Sequence, residues 1–280
     1  MAIHIAPAGY SGPKEIKYLF IDGGCLRQML QDAAGSYGAF EPRFLDFSKL
    51  VKGYDKTFYY DSLPPQKKDE DKDAHSVRMD EQSAFFDSLH TINGVHVYEG
   101  DARRRRKTVQ QKKVDIMIAV DMLTHSFRRN MHQAALLTAD LDFKPLVDAL
   151  VRDGMHVTLW YPHGKPNTEL VYAADARRPL TFRDLHSWSA DDFQKSHPLP
   201  HAVSLPAKQI QGGFLIDTWP IAMDTTAEVF EIESDGSFTV VFPSELNRDK
   251  NYHTHVSHPD RDFLKFYVQE CFREFWKSPI

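Results

Sequence analysis

The chain has 280 residues, 42% hydrophobic and 26% charged, which is enough apolar material for a buried core and excludes overall disorder. Its net charge is −5, so any binding of nucleic acid would need a local basic patch rather than a basic protein. Two cysteines, Cys25 and Cys271, exclude a disulfide framework and a Cys-rich zinc module. No apolar run approaches the roughly 18 to 20 residues that span a bilayer, and no signal peptide is visible at the start. A cytoplasmic protein without a membrane segment is therefore expected.

Residues 1–15 hold Pro7, Gly9, Gly12 and Pro13 and read as a loose leader. Lys17 to Ile21 is an apolar run closed by Asp22, Gly23 and Gly24, the pattern of a buried strand ending at a turn. A helix is expected over Leu26–Ala34, ended by Gly35. A second strand spans Lys56–Asp61, stopped by Pro64 and Pro65. Residues 66–73 are nearly all charged, with mixed sign, and read as a solvated loop. Then come a helix over His75–His90, a third strand within Gly94–Gly100 and an apolar helix over Val114–Phe127. A fourth strand over Gln133–Ala139, a helix over Asp142–Asp153 and a fifth strand over Met155–Tyr161 follow. This alternation predicts an α/β domain over residues 16–186, with a parallel sheet of about five strands covered on both faces.

Residues 187–206, with Pro198, Pro200 and Pro206, read as a linker or a wrapping segment. A small α+β unit is expected over residues 207–280. Its signals are an alternating run at Ala227–Ile232, a hairpin turn at Asp235-Gly236 and a strand over Ser237–Phe242. A helix over Pro259–Trp276 carries Phe263, Phe266, Phe272 and Phe275. That aromatic face either forms the core of the unit or docks onto the α/β domain or a second subunit, and the unit could also carry a protein partner. His253, His255 and His258 match no zinc spacing and read as a polar loop.

In an open parallel sheet, the residues just beyond the carboxyl ends of the strands form the ligand site. Asp22 follows the first strand, and Asp140 and Asp142 follow the fourth. Strands one and four are neighbours in the common crossover orders. Asp115 opens the long apolar helix on the same side. Each acid alone has an ordinary role, as a turn former, a helix cap or a partner of the helix dipole. Together they would repel one another at low dielectric unless a hard cation lay between them. Mg²⁺ and Mn²⁺ prefer such oxygen donors, and they activate water and stabilise leaving oxygens in phosphodiester hydrolysis. Asp121, about 240° further round the helix from Asp115, reads as an outer partner rather than a ligand.

Three segments, Phe20–Leu26, Lys113–Asp121 and Leu137–Leu146, resemble the NYN domains, the branch of the PIN-like ribonuclease superfamily related to LabA proteins. Their order and spacing agree over roughly residues 17–180. The resemblance implies a PIN-like Rossmannoid three-layer fold and a metal-dependent endoribonuclease. It implies Asp22, Asp115, Asp140 and Asp142 as holders of Mg²⁺ or Mn²⁺, with Thr138 shaping the site. Many members carry Asn three residues after the first acid, where this chain has Cys25. A thiol is a poor substitute for an amide.

Arg103, Arg104, Arg105, Arg106, Lys107, Lys112 and Lys113 put seven positive charges into eleven residues without an acid among them. A solvated charge run is the ordinary reading. Beside an acidic metal centre, the block suits the phosphates of an RNA backbone. Tyr59, Tyr60 and Tyr98 offer rings for base stacking, although aromatic strand residues more commonly belong to the core. Three functions fit: a metal-dependent ribonuclease, an RNA-binding or scaffolding protein on the same fold, and a small-phosphoester phosphatase that would not need the basic block. No P-loop, Gly-x-Gly-x-x-Gly or Gly-x-Ser-x-Gly motif supports a nucleotide cofactor or a serine hydrolase.

Overall fold

The structure, a computed structural model, describes residues 15–66, 69–100, 107–164, 167–206, 210–221, 225–246 and 249–271, and for residues 107–112 the backbone only. In chain order the elements are β1 (Lys17–Asp22), α1 (Gly23–Ser36), α2 (Phe47–Leu50), β2 (Lys56–Ser62), α3 (Lys72–His90), β3 (Val95–Gly100), α4 (Lys107–Phe127), β4 (Gln133–Leu137), α5 (Lys144–Arg152), β5 (His156–Pro162), α6 (Thr168–Ala173) and β6 (Ala176–Leu180). They continue with α7 (Phe182–Ser187), α8 (Asp191–Ser196), β7 (His201–Leu205), β8 (Gly213–Pro220), β9 (Thr226–Ile232), β10 (Phe238–Phe242), β11 (His253–His258) and α9 (Arg261–Cys271).

The first sheet has six strands in the order β3-β2-β1-β4-β5-β6. The strands from β1 to β5 pair in parallel register. β1 lies at the centre, and Leu19, Phe20 and Ile21 are fully buried because helices cover both faces of an all-parallel sheet. On one face Phe20 stacks on Phe58 at 5.0 Å, and His125 of α4 sits over Phe58 at 5.0 Å. On the other face Tyr59 meets Phe85 and Phe86 of α3. This is the expected three-layer α/β architecture, with one strand more than expected. β6, Ala-Arg-Arg-Pro-Leu, has no apolar run, and its proline is tolerated because it is an edge strand.

Several boundaries move for local reasons. α1 starts directly after Asp22 and runs through Gly35. α3 takes in the end of the charged run because the Asp71 side chain accepts the Asp73 N–H and caps it. α4 begins at Lys107 rather than Val114, since its polar first turns lack apolar periodicity but also lack Gly and Pro.

The chain divides into two compact units. Met1–Cys25, Val51–Trp160 and Asn167–Arg178 make one; Leu26–Leu50, Tyr161–Pro166 and Pro179–Ile280 make the other. The second unit contains an antiparallel sheet in the order β7-β11-β10-β9-β8. α9 buries Phe263, Leu264, Tyr267 and Val268, and Tyr37, just after α1, stacks on Phe263 at 4.1 Å. In the described part of α9, then, the aromatic face serves the unit's core.

Residues 187–206, expected as a linker, carry α8 and β7. Phe193 stacks on Phe44 at 4.8 Å, Lys49 bonds Asp191 at 2.6 Å, and β7 pairs with β11. The prolines there mark the ends of short elements. The histidine triplet expected as a loop forms β11, with His255 and His258 buried.

Gly23 stands where a Cβ would lie 2.6 Å from both the Asp61 Cβ and the Tyr59 hydroxyl. Gly35 faces open space. Gly23→Ala is expected to lower stability by roughly 1–3 kcal/mol through overpacking, and Gly35→Ala to raise it by up to about 1 kcal/mol through helix propensity. Urea unfolding of both variants measures this, and a neutral Gly23→Ala would contradict the close approach.

Candidate active site

The carboxyl ends of β1 and β4 are tied by one hydroxyl. Thr138, fully buried just after β4, donates to Asp22 Oδ2 at 2.9 Å and accepts the Asp140 N–H at 3.2 Å. The other Asp22 oxygen accepts the Cys25 N–H at 3.2 Å, as a cap of α1 does. Asp140 Oδ1 accepts the Asp142 N–H at 2.9 Å and caps the short 3₁₀ turn Leu141–Phe143. Asp22 and Asp140 therefore perform the ordinary capping role while pointing their charge at the same edge. The cap is Asp140 and not Asp142, which lies exposed two residues on.

Burial raises the Asp22 carboxyl above the usual range, and Asp61 and Asp140 push it further, against the lowering hydrogen bonds from Thr138 and Cys25. Asp115 is pushed up to about 6 by burial first, then by the charges of Asp22, Asp140 and Asp142. Asp115 thus lies within electrostatic reach of the other three acids named from the sequence. Asp115 does not open its helix, however. It is the ninth residue of α4, beyond the first turn in which the helix dipole acts, so complementing that dipole is not its role.

Asp121 belongs to a neighbouring group. Its carboxylate accepts the Tyr60 hydroxyl at 2.8 Å, which makes it a packing partner, as its helical angle suggests. The Cys25 thiol is pushed up to about 12 by burial and by Asp22 and Asp140, so it is a neutral thiol beside those carboxylates and not a nucleophile.

Sequence reasoning passed over Asp61. It lies near the end of β2, next to β1, and is buried. It accepts the Tyr59 hydroxyl at 3.0 Å and the Ser62 N–H at 2.7 Å, with Gln82 at 3.4 Å. The signal that could have found it is the one that marks Asp22: an acid at the carboxyl end of a strand.

Of the basic block, Arg103–Arg106 lie outside the described residues. Lys107, Lys112 and Lys113 fall on the opening turns of α4, and Lys113, two residues before Asp115, is exposed.

The four acids and the Thr138 hydroxyl offer oxygen donors only, the set that Mg²⁺ and Mn²⁺ take. Among the described residues, no three His, Cys, Asp or Glu side chains are grouped so that together they could hold a metal ion. Mg²⁺ commonly keeps several waters and is held through one or two carboxylates. By donor chemistry alone, such oxygens suit a hydrated hard cation held through one or two carboxylates and not a dry all-protein cage.

An acid whose pKa is higher in the fold than in the unfolded chain favours the fold when protonated. For Asp115 that contribution is complete below the ordinary value of 3.8 and is lost as the pH rises through about 6. In EDTA the wild type should lose melting temperature between about pH 4 and pH 7 relative to Asp115→Asn, which cannot ionise. Added Mg²⁺ should raise the wild-type melting temperature at about pH 7.5 more than at about pH 5. Thermal melts across that range test both, and parallel curves for the two proteins would contradict the coupling.

A solved structure of a protein of unknown function from Vibrio parahaemolyticus matches 60% of this chain and 93% of its own, at 16% identity and a TM-score of 0.43. No curated protein matches significantly. A family model covers residues 44–180, the stretch from before β2 to the end of β6, which holds Asp61, Asp115, Thr138, Asp140 and Asp142; Asp22 and Cys25 lie ahead of it. That model is the NYN domain, a nuclease-like family within the PIN-like superfamily, and residues 44–180, just under half of the chain, match it.

Proposed function

We propose that this protein is a metal-dependent endoribonuclease acting on single-stranded RNA. The observation that carries the reading is the convergence of Asp22 and Asp140 on the Thr138 hydroxyl at the carboxyl ends of β1 and β4, in a chain whose residues 44–180 match the NYN model. Asp22, Asp115, Asp140 and Asp142 would hold Mg²⁺ or Mn²⁺, and a bound cation of that kind supplies Lewis acidity towards a phosphoryl oxygen and activates water. Thr138 orients Asp22 by its hydrogen bond and fixes the loop that presents Asp140. Asp22 is only part-buried, and the apolar core beside it strengthens the field that a phosphodiester would meet. Arg103–Arg106 with Lys107, Lys112 and Lys113 would bind the RNA backbone, with a strong dependence on salt.

A second reading, an RNA-binding protein with little catalysis, is favoured by one observation. Cys25, whose backbone N–H bonds Asp22 at 3.2 Å, offers a thiol at a position where an amide would offer stronger donors.

Cleavage of labelled single-stranded RNA in Mn²⁺, Mg²⁺ and EDTA tests the main reading. Cutting should require the cation and should fall in Asp140→Asn by more than the roughly 10- to 100-fold typical of outer-shell partners. Cutting that survives EDTA and Asp140→Asn would sink the proposal. Cys25→Asn distinguishes the second reading. Salt-sensitive RNA binding without cutting in the wild type, with cutting restored by the amide, would establish it.

A further inference from the structure

Two rows of side chains cross the α4 side of the first sheet and end at its free edge. Phe20, Phe58 and His96 share one register row of β1, β2 and β3. Phe20 stacks on Phe58 at 5.0 Å and 11°, and Phe58 on His96 at 5.2 Å and 22°. The next row towards the carboxyl ends is Asp22, Tyr60 and Tyr98. Tyr60 stacks on Tyr98 at 5.0 Å and 14°.

Only the last ring of each row reaches solvent. Tyr60 is fully buried, with its hydroxyl fixed on Asp121, and Tyr59 is buried on the opposite face. His96 is exposed and Tyr98 is half-buried. β3 is the edge strand. The near-parallel rings follow one another strand by strand, so the stacking direction runs across the sheet. The outer faces of His96 and Tyr98 are turned to the side where, among the described residues, no further strand of this sheet lies.

Tyr98 shares its row with Asp22 at two strand spacings, roughly 10 Å. The next stacking position lies one spacing beyond, roughly 14 Å from Asp22. That is too far for a group taking part in the reaction and suited to a neighbouring nucleotide of the same strand.

We propose that His96 and Tyr98 form a stacking platform for unpaired bases of single-stranded RNA, extending the aromatic rows outward beside the carboxylate cluster; this rests on the nucleic-acid reading of that cluster. Every base has a π-face, so the platform discriminates little by sequence. Bases within a duplex are already stacked on both faces, so it favours unpaired RNA. Tyr98 and His96 are binding and positioning residues.

The test is binding of full-length protein to a short single-stranded RNA and to the same sequence as a duplex, by fluorescence anisotropy in EDTA and in Ca²⁺. Tyr98→Leu combined with His96→Ala should weaken single-strand binding by roughly tenfold, the order expected for one or two lost stacking contacts. Duplex binding should be unchanged, and Tyr98→Phe should bind as the wild type does. A 2-aminopurine moved along the RNA should be quenched at one or two positions by wild type and Tyr98→Phe and not by Tyr98→Leu. His96→Ala alone, at an exposed position, gives a folded variant whatever Tyr98→Leu does to stability. Unchanged single-strand affinity and quenching in the double variant, or an equal loss for both RNA forms, would overturn the platform while leaving the nuclease reading in place. A wild type that binds no RNA in either condition would overturn the nucleic-acid reading and the platform with it.

Discussion

The Thr138 hydroxyl holds the edge of this domain together. It spends its proton on Asp22 and its lone pair on the Asp140 amide, so the ends of β1 and β4 are fixed by one buried atom. Without it the loop after β4 would be free to carry Asp140 away from Asp22, which is the direction in which like charge pushes. The parallel pairing of β1 with β4 brings the two acids together, and the threonine keeps them there. A hydrogen bond that holds two carboxylates at one edge works against their repulsion, and a cation at that edge would relieve it.

The order of strands and helices in the first sheet was legible because parallel strands buried on both faces read as continuous apolar runs, as in Tyr-Leu-Phe-Ile and Ala-Ala-Leu-Leu. The acids after β1 and β4 were legible for the same reason, since each follows such a run. Asp61 escaped because its strand ends in Tyr-Tyr-Asp shortly before two prolines, and the prolines dominate that stretch as a stop signal. β6 escaped because an edge strand can be charged and can hold a proline. The second sheet was half visible: β9 and β10 alternate around a turn, whereas β7 and β11 are polar strands whose partners are distant in sequence. His255 is buried by that pairing, which no local pattern announces.

The acids sit beside an unusually aromatic floor. Phe20, Phe58 and Tyr60 fill the α4 side of the central strands up to the row of Asp22. The same packing that supplies the core thus lowers the dielectric next to the carboxylates, and burial is the first cause of the shifts at both Asp22 and Asp115. Core and site are one continuous surface here, so a repacked core would alter the electrostatics of the edge.

The early start of α4 bears on how this stretch of chain can vary. From Lys107 to Asp115 the backbone is a helix, which advances about 1.5 Å and turns about 100° with each residue. The lysines at 107, 112 and 113 are therefore held at fixed heights and bearings from the acid, like marks on a threaded rod. Exchanging one residue for another leaves the thread intact, whereas adding or deleting a single residue swings every mark ahead of it by more than a quarter turn. Length in this segment is constrained more tightly than composition.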